Sequence, residues 1–194
     1  MNHKDSFNKI ILASSSVRRS YLLKISGLKF NKIISPKIKE NSLLNELPKS
    51  YAERMAFEKA RKVFRENKGS YILSADTVVS YKNKILPKAS NLKTATNCLN
   101  LLSGKKHTVY GGICLHYPNG LYIIKCSISK VKFCKLSKIE KDFPSLLLSF
   151  LKFISVHILS FEVLIPNLLL WQDSVDDFTD GEWFFADAFV VFNA

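Results

Sequence analysis

Acidic residues are scarce in this sequence. The 194 residues include 16 Asp and Glu against 29 Lys and Arg, a formal net charge of +13. That balance excludes an acidic protein and predicts anionic partners: nucleotides, nucleic acid or a lipid surface. Cysteine is scarce as well. Cys98, Cys114, Cys126 and Cys134 form no C-x-x-C pair, and no histidine pair stands nearby at zinc-finger spacing. This argues against a disulfide framework or structural zinc, and for reduced thiols in the cytosol. With only seven glycines, the chain has no P-loop and no dinucleotide-binding glycine fingerprint, and it has no HExxH helix. No Ser-His-Asp arrangement, internal repeat or low-complexity linker is visible. The polar start, Met1 to Asp5, precedes an apolar run too short for a signal peptide.

What is present is globular in its average, with 47% hydrophobic and 23% charged residues, and one domain is the default for this length. The average hides an asymmetry. Residues 1–136 hold most of the cations and read as mixed α/β. Residues 143–171 are nearly all apolar, and Asp173, Asp176, Asp177, Asp180, Glu182 and Asp187 follow. The apolar stretch exceeds the ~20 residues that span a bilayer. However, it contains Lys152, His157 and Glu162, and a central charge costs about 2.5–3.5 kcal/mol on insertion scales. A membrane span, a core helix, a misread frame and a partly disordered tail all stay open.

The body yields a coarse series of elements. Lys9 to Ala13 fits a buried strand. Ser14-Ser15-Ser16 can cap a helix from Val17, with Val17, Tyr21, Leu22 and Ile25 at helical spacing and Gly27 ending it. A strand, a serine turn and a helix make a plausible anion site. Arg18 and Arg19 in the first turn oppose the helix dipole unless an anion compensates; two solvated arginines are the plainer alternative. Residues 48–66 form the clearest helix, with Tyr51, Met55, Ala56, Ala60, Val63 and Phe64 on one apolar face. Lys59 falls on or beside that face, where a lysine usually snorkels outward; the sharper alternative aims it at an anion.

Tyr71 to Ala75 reads as a second buried strand, with Asp76 at its end, where ligands of α/β sheets collect. A turn or cap aspartate is the alternative. Tyr81-Lys82-Asn83-Lys84 reads as a hairpin turn. Ser90 can cap a third helix with Leu92, Ala95, Leu99 and Leu102 on one face. Residues 107–117 and 121–133 read as two strands joined at Pro118-Asn119-Gly120, with His107 structural. The serine turn, the two arginines, Lys59, Asp76, Lys88 and Glu40 together suit phosphate chemistry: cations grip an anion, and acids hold a metal.

Five segments then resemble one family in the right order. Ile11-Leu12-Ala13-Ser14-Ser15-Ser16-Val17-Arg18-Arg19 followed by Leu22-Leu23 resembles the LASxSPRR opening of the Maf family. Glu58-Lys59-Ala60 is similar to its helix motif, and Ser74-Ala75-Asp76-Thr77-Val78-Val79 to its ADTVV segment. Lys84 to Lys88 resembles its lysine–proline motif with the order inverted. Leu101 to Tyr110 resembles LSGxxHxVYTG, with Gly111 in place of the usual threonine. The resemblance covers residues 9–135. It implies an α/β fold, an inosine-triphosphatase-like mixed sheet flanked by helices, and hydrolysis of a nucleoside triphosphate to its monophosphate and pyrophosphate with a divalent metal, Mg or Mn. It implies Asp76 as the proton acceptor or a metal-linked acid, and Glu40 as the metal-site glutamate. Ser14, Arg19, Lys59 and Lys88 would hold the triphosphate, while Arg18 and Thr77 help select the base. An arginine at 18 resembles the subgroup acting on dTTP and UTP; modified nucleotides are a further substrate class.

The departures lie mainly in the C-terminal part. Val17 stands where proline is usual, and Lys39 where an acid often precedes Glu40. The family's later motifs, DKAGxYxIQG and GSYSNVVGLPL, are absent, and Ala186 to Phe192 faintly echoes the strand between them. The chain therefore divides into a pyrophosphatase-like domain at 1–140 and a divergent or incomplete part at 141–194, for which a frame change or degenerate 3′ end is the simplest account. Three readings follow: a cytoplasmic nucleoside triphosphate pyrophosphatase, a catalytically impaired nucleotide-binding relic, and a basic membrane-associated or nucleic-acid-binding protein. The expected partner is a nucleoside triphosphate, with a homodimer compatible and neither specific nucleic acid nor membrane expected.

Overall fold

The computed structural model describes residues 10–138 and, beyond them, the backbone of strands at 183–184 and 190–193. The apolar run Ile10–Ala13 forms β1, buried at all four positions, as a strand covered on both faces should be. Helix α1 follows at Val17–Ile25, and the Ser16 side chain accepts the Arg19 N–H at its N-cap. It stops at Gly27, whose φ of 84° suits a residue without a Cβ. Of the four apolar positions at helical spacing in α1, only Leu22 faces inward. Val17, Tyr21 and Ile25 are exposed, while Leu22 and Leu23 are buried. The inward side carries Arg19, Leu22 and Leu23, at offsets of three and four, so positions 17, 21 and 25 face solvent.

Strand β2, Lys32–Ile34, lies parallel to β1 at the sheet edge. Helix α2 spans Pro48–Glu66, with proline in the first turn, where its missing N–H costs nothing. Strand β3 runs from Tyr71 to Tyr81 and turns through Lys82 and Asn83, both at positive φ, into β4 at Lys84–Ile85. Helix α3 spans Leu92–Leu102. Its cap is Asn91 rather than Ser90: the Asn91 side chain accepts the Thr94 N–H at 2.8 Å, while the Ser90 N–H is spent on the carbonyl of Lys88. Leu92, in the first turn, is exposed. Strands β5, Lys106–His116, and β6, Tyr122–Phe133, form the long antiparallel hairpin. Strand β8, Val190–Asn193, pairs with β6, and β7, Trp183–Phe184, with β8. The result is a mixed sheet in the order β2-β1-β3-β5-β6-β8-β7, with β4 on β3.

One strand corrects the sequence reading where it matters most. Asp76 is not at the end of a short strand but inside β3, opposite Gly112 of β5. Strand β1 pairs with β3 only as far as Ala13 and Ser74, and β4 joins only at Ser80. Between those points one side of β3 has no strand partner among the described residues. Asp76 and Thr77 project from this notch to opposite faces.

Helix α2 covers one face of the sheet. Ala52, Ala56 and Ala60, four residues apart and fully buried, let its backbone come close. A Cβ on Gly112 would lie 2.2 Å from the carbonyl oxygen of Ala52, so only glycine fits beneath the helix. On the opposite face, Leu23 packs with Ile10, Leu12 and Leu73, and Leu99 and Leu102 of α3 pack with Phe133 and Leu136. His107 is structural, as expected: burial pushes its pKa down to about 4, so it sits neutral beside Phe133. No disulfide is present among the described residues, and burial pushes the Cys114 thiol up to about 12. No helix of the described residues is long and apolar enough to cross a membrane; the segment 143–171 lies outside them. Gly112→Ala is expected to cost about 1–3 kcal/mol through overpacking against a helix that has no room to move, read as a lower urea midpoint with unchanged m-value.

Candidate active site

The site begins at the serine turn. Ser14 is buried directly after β1. Its hydroxyl oxygen accepts the Ser16 N–H at 3.1 Å and Arg19 Nη1 at 2.9 Å. The turn thus holds the guanidinium inward, against the dipole of its own helix. Burial pulls the Arg19 pKa down and the charges of Asp76 and Glu40 pull it back up; arginine stays protonated in either case. Arg19 Nε is buried and bonded to no partner among the described residues. A guanidinium with a spare buried donor is suited to an anion.

Lys59 is where the sequence expectation of a snorkelling side chain fails. It is 7% exposed, and its ammonium donates to Asp76 Oδ1 at 2.5 Å and lies 2.8 Å from Glu40 Oε1. The helix face aims it at the sheet, and Asp76 rises from β3 beneath it. A lysine buried this deeply needs such partners. Ser74, two residues before Asp76 on the same face, donates to the carbonyl of Ala56 at 2.5 Å, locking helix and strand in register beside the pair.

Glu40 lies on the stretch between β2 and α2 and also accepts a hydrogen bond from Lys88, which follows β4. Burial alone would raise its pKa, but hydrogen bonds from Lys59 and Lys88 hold it below the usual carboxylate range. Ser14, Arg19, Glu40 and Lys59 line one cavity of about 170 Å³, with Ser15 and Lys37 also on its wall. Asp76 reaches this group through Lys59. Five chain segments therefore meet, bringing three cations and two acids together.

Two expected site residues stand apart. Arg18 is exposed on α1, outside this network. Thr77 faces the other side of β3 from Asp76, and its buried hydroxyl has no hydrogen-bond partner among the described residues. The sequence reading also passed over Lys37 and Tyr51. Lys37 is held at a φ of 43°. Tyr51 was read only as a core residue, yet its hydroxyl donates to the Glu40 carbonyl at 2.9 Å. A tyrosine at the start of an apolar helix face was the one available signal, because its phenol must find a partner when buried.

Asp76 and Glu40 converge on one ammonium, and no group of three His, Cys, Asp or Glu suited to a metal occurs among the described residues. Two carboxylate sources fit a small hard cation that takes its remaining ligands from phosphate oxygens and water. They do not fit a structural zinc site.

A crevice of buried cations and paired acids, beside the notch where the parallel part of a mixed sheet ends, defines an α/β protein with an anion-binding site. The comparisons give the class a family. A model of the family described as Maf-like protein matches residues 9–142. The chain is 43% identical over 140 residues to the dTTP/UTP pyrophosphatase of Chelativorans sp. (strain BNC1), covering 69% of this chain and 67% of that one. It is 43% identical over 136 residues to the nucleoside triphosphate pyrophosphatase of Ehrlichia canis (strain Jake), covering 70% and 71%. This chain belongs to the Maf family, and its match spans about two thirds of the length of these relatives. Among solved structures, the Staphylococcus aureus Ham1 protein is similar at a TM-score of 0.46 and 14% identity, over 75% of this chain and 98% of that one; at these values the likeness adds nothing to the family match.

The electrostatics of Glu40 set a pH dependence. Its pKa lies lower in the folded chain than its ordinary 4.5, so on acidification the unfolded state takes up this proton first. Stability from Glu40 is therefore complete above about pH 5 and falls as pH drops through 4.5 toward the folded value. Denaturant midpoints from pH 7 to 3 should fall less steeply for Glu40→Gln than for the wild type.

Proposed function

We propose that this chain hydrolyses nucleoside triphosphates, dTTP and UTP foremost, to the monophosphate and pyrophosphate. The observation that carries the reading is the single cavity at which Arg19 and Lys59 meet the carboxylate of Glu40, with Asp76 bonded to Lys59. A polyphosphate needs several cations at close range, and its cleavage needs an acceptor for the proton of the attacking water. In this reading Ser14, Arg19, Lys59 and Lys88 bind the triphosphate. Phosphate oxygens entering the cavity compete with Asp76 and Glu40 for the lysine ammoniums. Asp76, released from Lys59, then takes the proton of the water. Glu40 and Asp76 would hold a divalent cation, Mg or Mn, which when bound neutralises phosphate charge. Arg18, exposed at the start of α1, and Thr77, with its unpartnered hydroxyl, would contact the base. The names of the two relatives support the reaction class, and residence in the cytoplasm fits a free nucleotide as substrate.

A second reading has one specific observation in its favour. The family match ends at residue 142, and the family's later motifs are absent from this sequence. A relic of this kind binds a triphosphate without turnover. Purified full-length chain with Mg²⁺ and a panel of triphosphates separates the two: pyrophosphate release with dTTP and UTP is expected. Calorimetric binding without release gives the relic. Asp76→Asn should lower turnover by about 10²–10⁴, the usual worth of a positioned general base. Turnover that survives Asp76→Asn unchanged removes Asp76 from the mechanism.

A further inference from the structure

Between Ile34 and Pro48 the chain has neither strand nor helix, yet this stretch carries Glu40. A carboxylate on an irregular segment is placed only as well as the segment is held. Two side chains of α2, three residues apart and hence on one side of the helix, hold it. Tyr51 Oη donates to the Glu40 carbonyl. Arg54 Nη2 donates to the Asn41 carbonyl at 2.9 Å, and its Nε and Nη2 form a fork on Glu46 at 2.6 Å each. Glu46 Oε2 in turn accepts the Leu43 N–H at 2.9 Å. The backbone at 40, 41 and 43 and the carboxylate at 46 are thus tied to one phenol and one guanidinium. The segment is strained at both ends, with φ of 43° at Lys37 and 57° at Asn45. Such conformations persist where the surroundings impose them.

Resting on the reading of Glu40 as a site carboxylate, we propose that Arg54, through Glu46 and Asn41, is a positioning residue that sets Glu40 in the site. Arg54 touches no group of the cavity itself and acts through the backbone of 40–46. The fork is charge-assisted on both sides: hydrogen bonding from Arg54 holds Glu46 below the usual carboxylate range. The Glu46 side chain is 7% exposed and that of Arg54 26%, so solvent partly screens the charges, and the two-pronged geometry is what fixes the segment. A lysine at 54 keeps the charge and loses the fork.

The test compares the full chain with Arg54→Met, Arg54→Lys and Glu46→Gln, each well below its own Tm. One arm follows tryptic cleavage after Lys37 and Lys39, both exposed. The other follows Mn²⁺ binding by electron paramagnetic resonance with a non-hydrolysable dTTP analogue present. Arg54→Met should be cleaved several-fold faster there and should bind Mn²⁺ about tenfold more weakly, at the lower end of what lost outer partners of a metal ligand cost. Glu46→Gln should move both readouts the same way, and Arg54→Lys should fall between Arg54→Met and wild type. A merely structural residue lowers Tm without moving the Mn²⁺ affinity of the folded chain. Unaltered Mn²⁺ affinity in Arg54→Met and Glu46→Gln, with or without faster cleavage, overturns the proposal. A wild type that binds Mn²⁺ but releases no pyrophosphate overturns the catalytic reading and leaves the positioning role standing. A wild type with no Mn²⁺ affinity overturns both.

Discussion

Lys59 has to be paired where it sits. Its ammonium lies on the face of α2 that packs against the sheet, next to Ala56, Ala60 and Val63, which are all buried. An unpaired charge there would cost several kcal/mol, about what breaking a buried pair costs. Asp76 from β3 and Glu40 from the segment before α2 supply the pairing, and in doing so they fix each other. Remove the ammonium and Asp76 loses its bonded partner, while Glu40 keeps only Lys88. The rest of the site is arranged around this one group: Lys88 reaches it through Glu40, and Arg19 feels the charges of both acids.

The backbone makes that pairing possible by letting α2 lie unusually low. The alanines at 52, 56 and 60 present no side chain beyond Cβ, and Gly112 presents none at all. Because Gly112 is the cross-strand partner of Asp76, a close helix–sheet approach sits beside the catalytic candidate. Asp76 can be close to Lys59 only because its neighbour on β5 takes no space. The notch on the other side of β3, between Ser74 and Ser80, leaves that stretch of strand open toward the serine turn. Close packing on one side and a gap in strand pairing on the other therefore meet at Asp76.

What could be read in the sequence was local. The bounds of α2, the hairpin at Lys82-Asn83 and the cap at Ser16 follow from periodicity, turn chemistry and a serine before an apolar run, and each sits where those signals put it. Most of the misreadings concern partners outside the element that carries the signal; the α3 cap, at Asn91 rather than Ser90, is a local one. Asp76 was placed at a strand end because the alternation around it is broken by a charge; antiparallel pairing with β5 carries the strand through. Lys59 was expected to snorkel because nothing in its own helix shows that an acid lies beneath it. In α1, helical spacing picks out Val17, Tyr21, Leu22 and Ile25, but the inward position of Arg19, held by Ser14, leaves only Leu22 of them buried. The Arg54–Glu46 fork was invisible for the same reason: Arg54 lies on the polar side of α2, and its partner comes from an irregular segment.

The charge count in the cavity bears on how a ligand enters. Arg19, Lys37, Lys59 and Glu40 line it, with Asp76 and Lys88 bonded to that group, and without a ligand Glu40 and Asp76 neutralise Lys59 and Lys88. A free divalent cation approaching Glu40 must displace two ammoniums that already hold that carboxylate, and it gains no phosphate in exchange. A polyphosphate alone must compete with the same two acids. In the proposed reading the exchange would balance when both arrive together: phosphate oxygens would take over the lysines and Arg19, and the freed carboxylates would hold the cation. By linkage, each then tightens the binding of the other. The ion-pair network holds the acids and cations of the site against one another, and under the proposed function it would favour a ligand that brings both charges at once, a metal-bound polyphosphate.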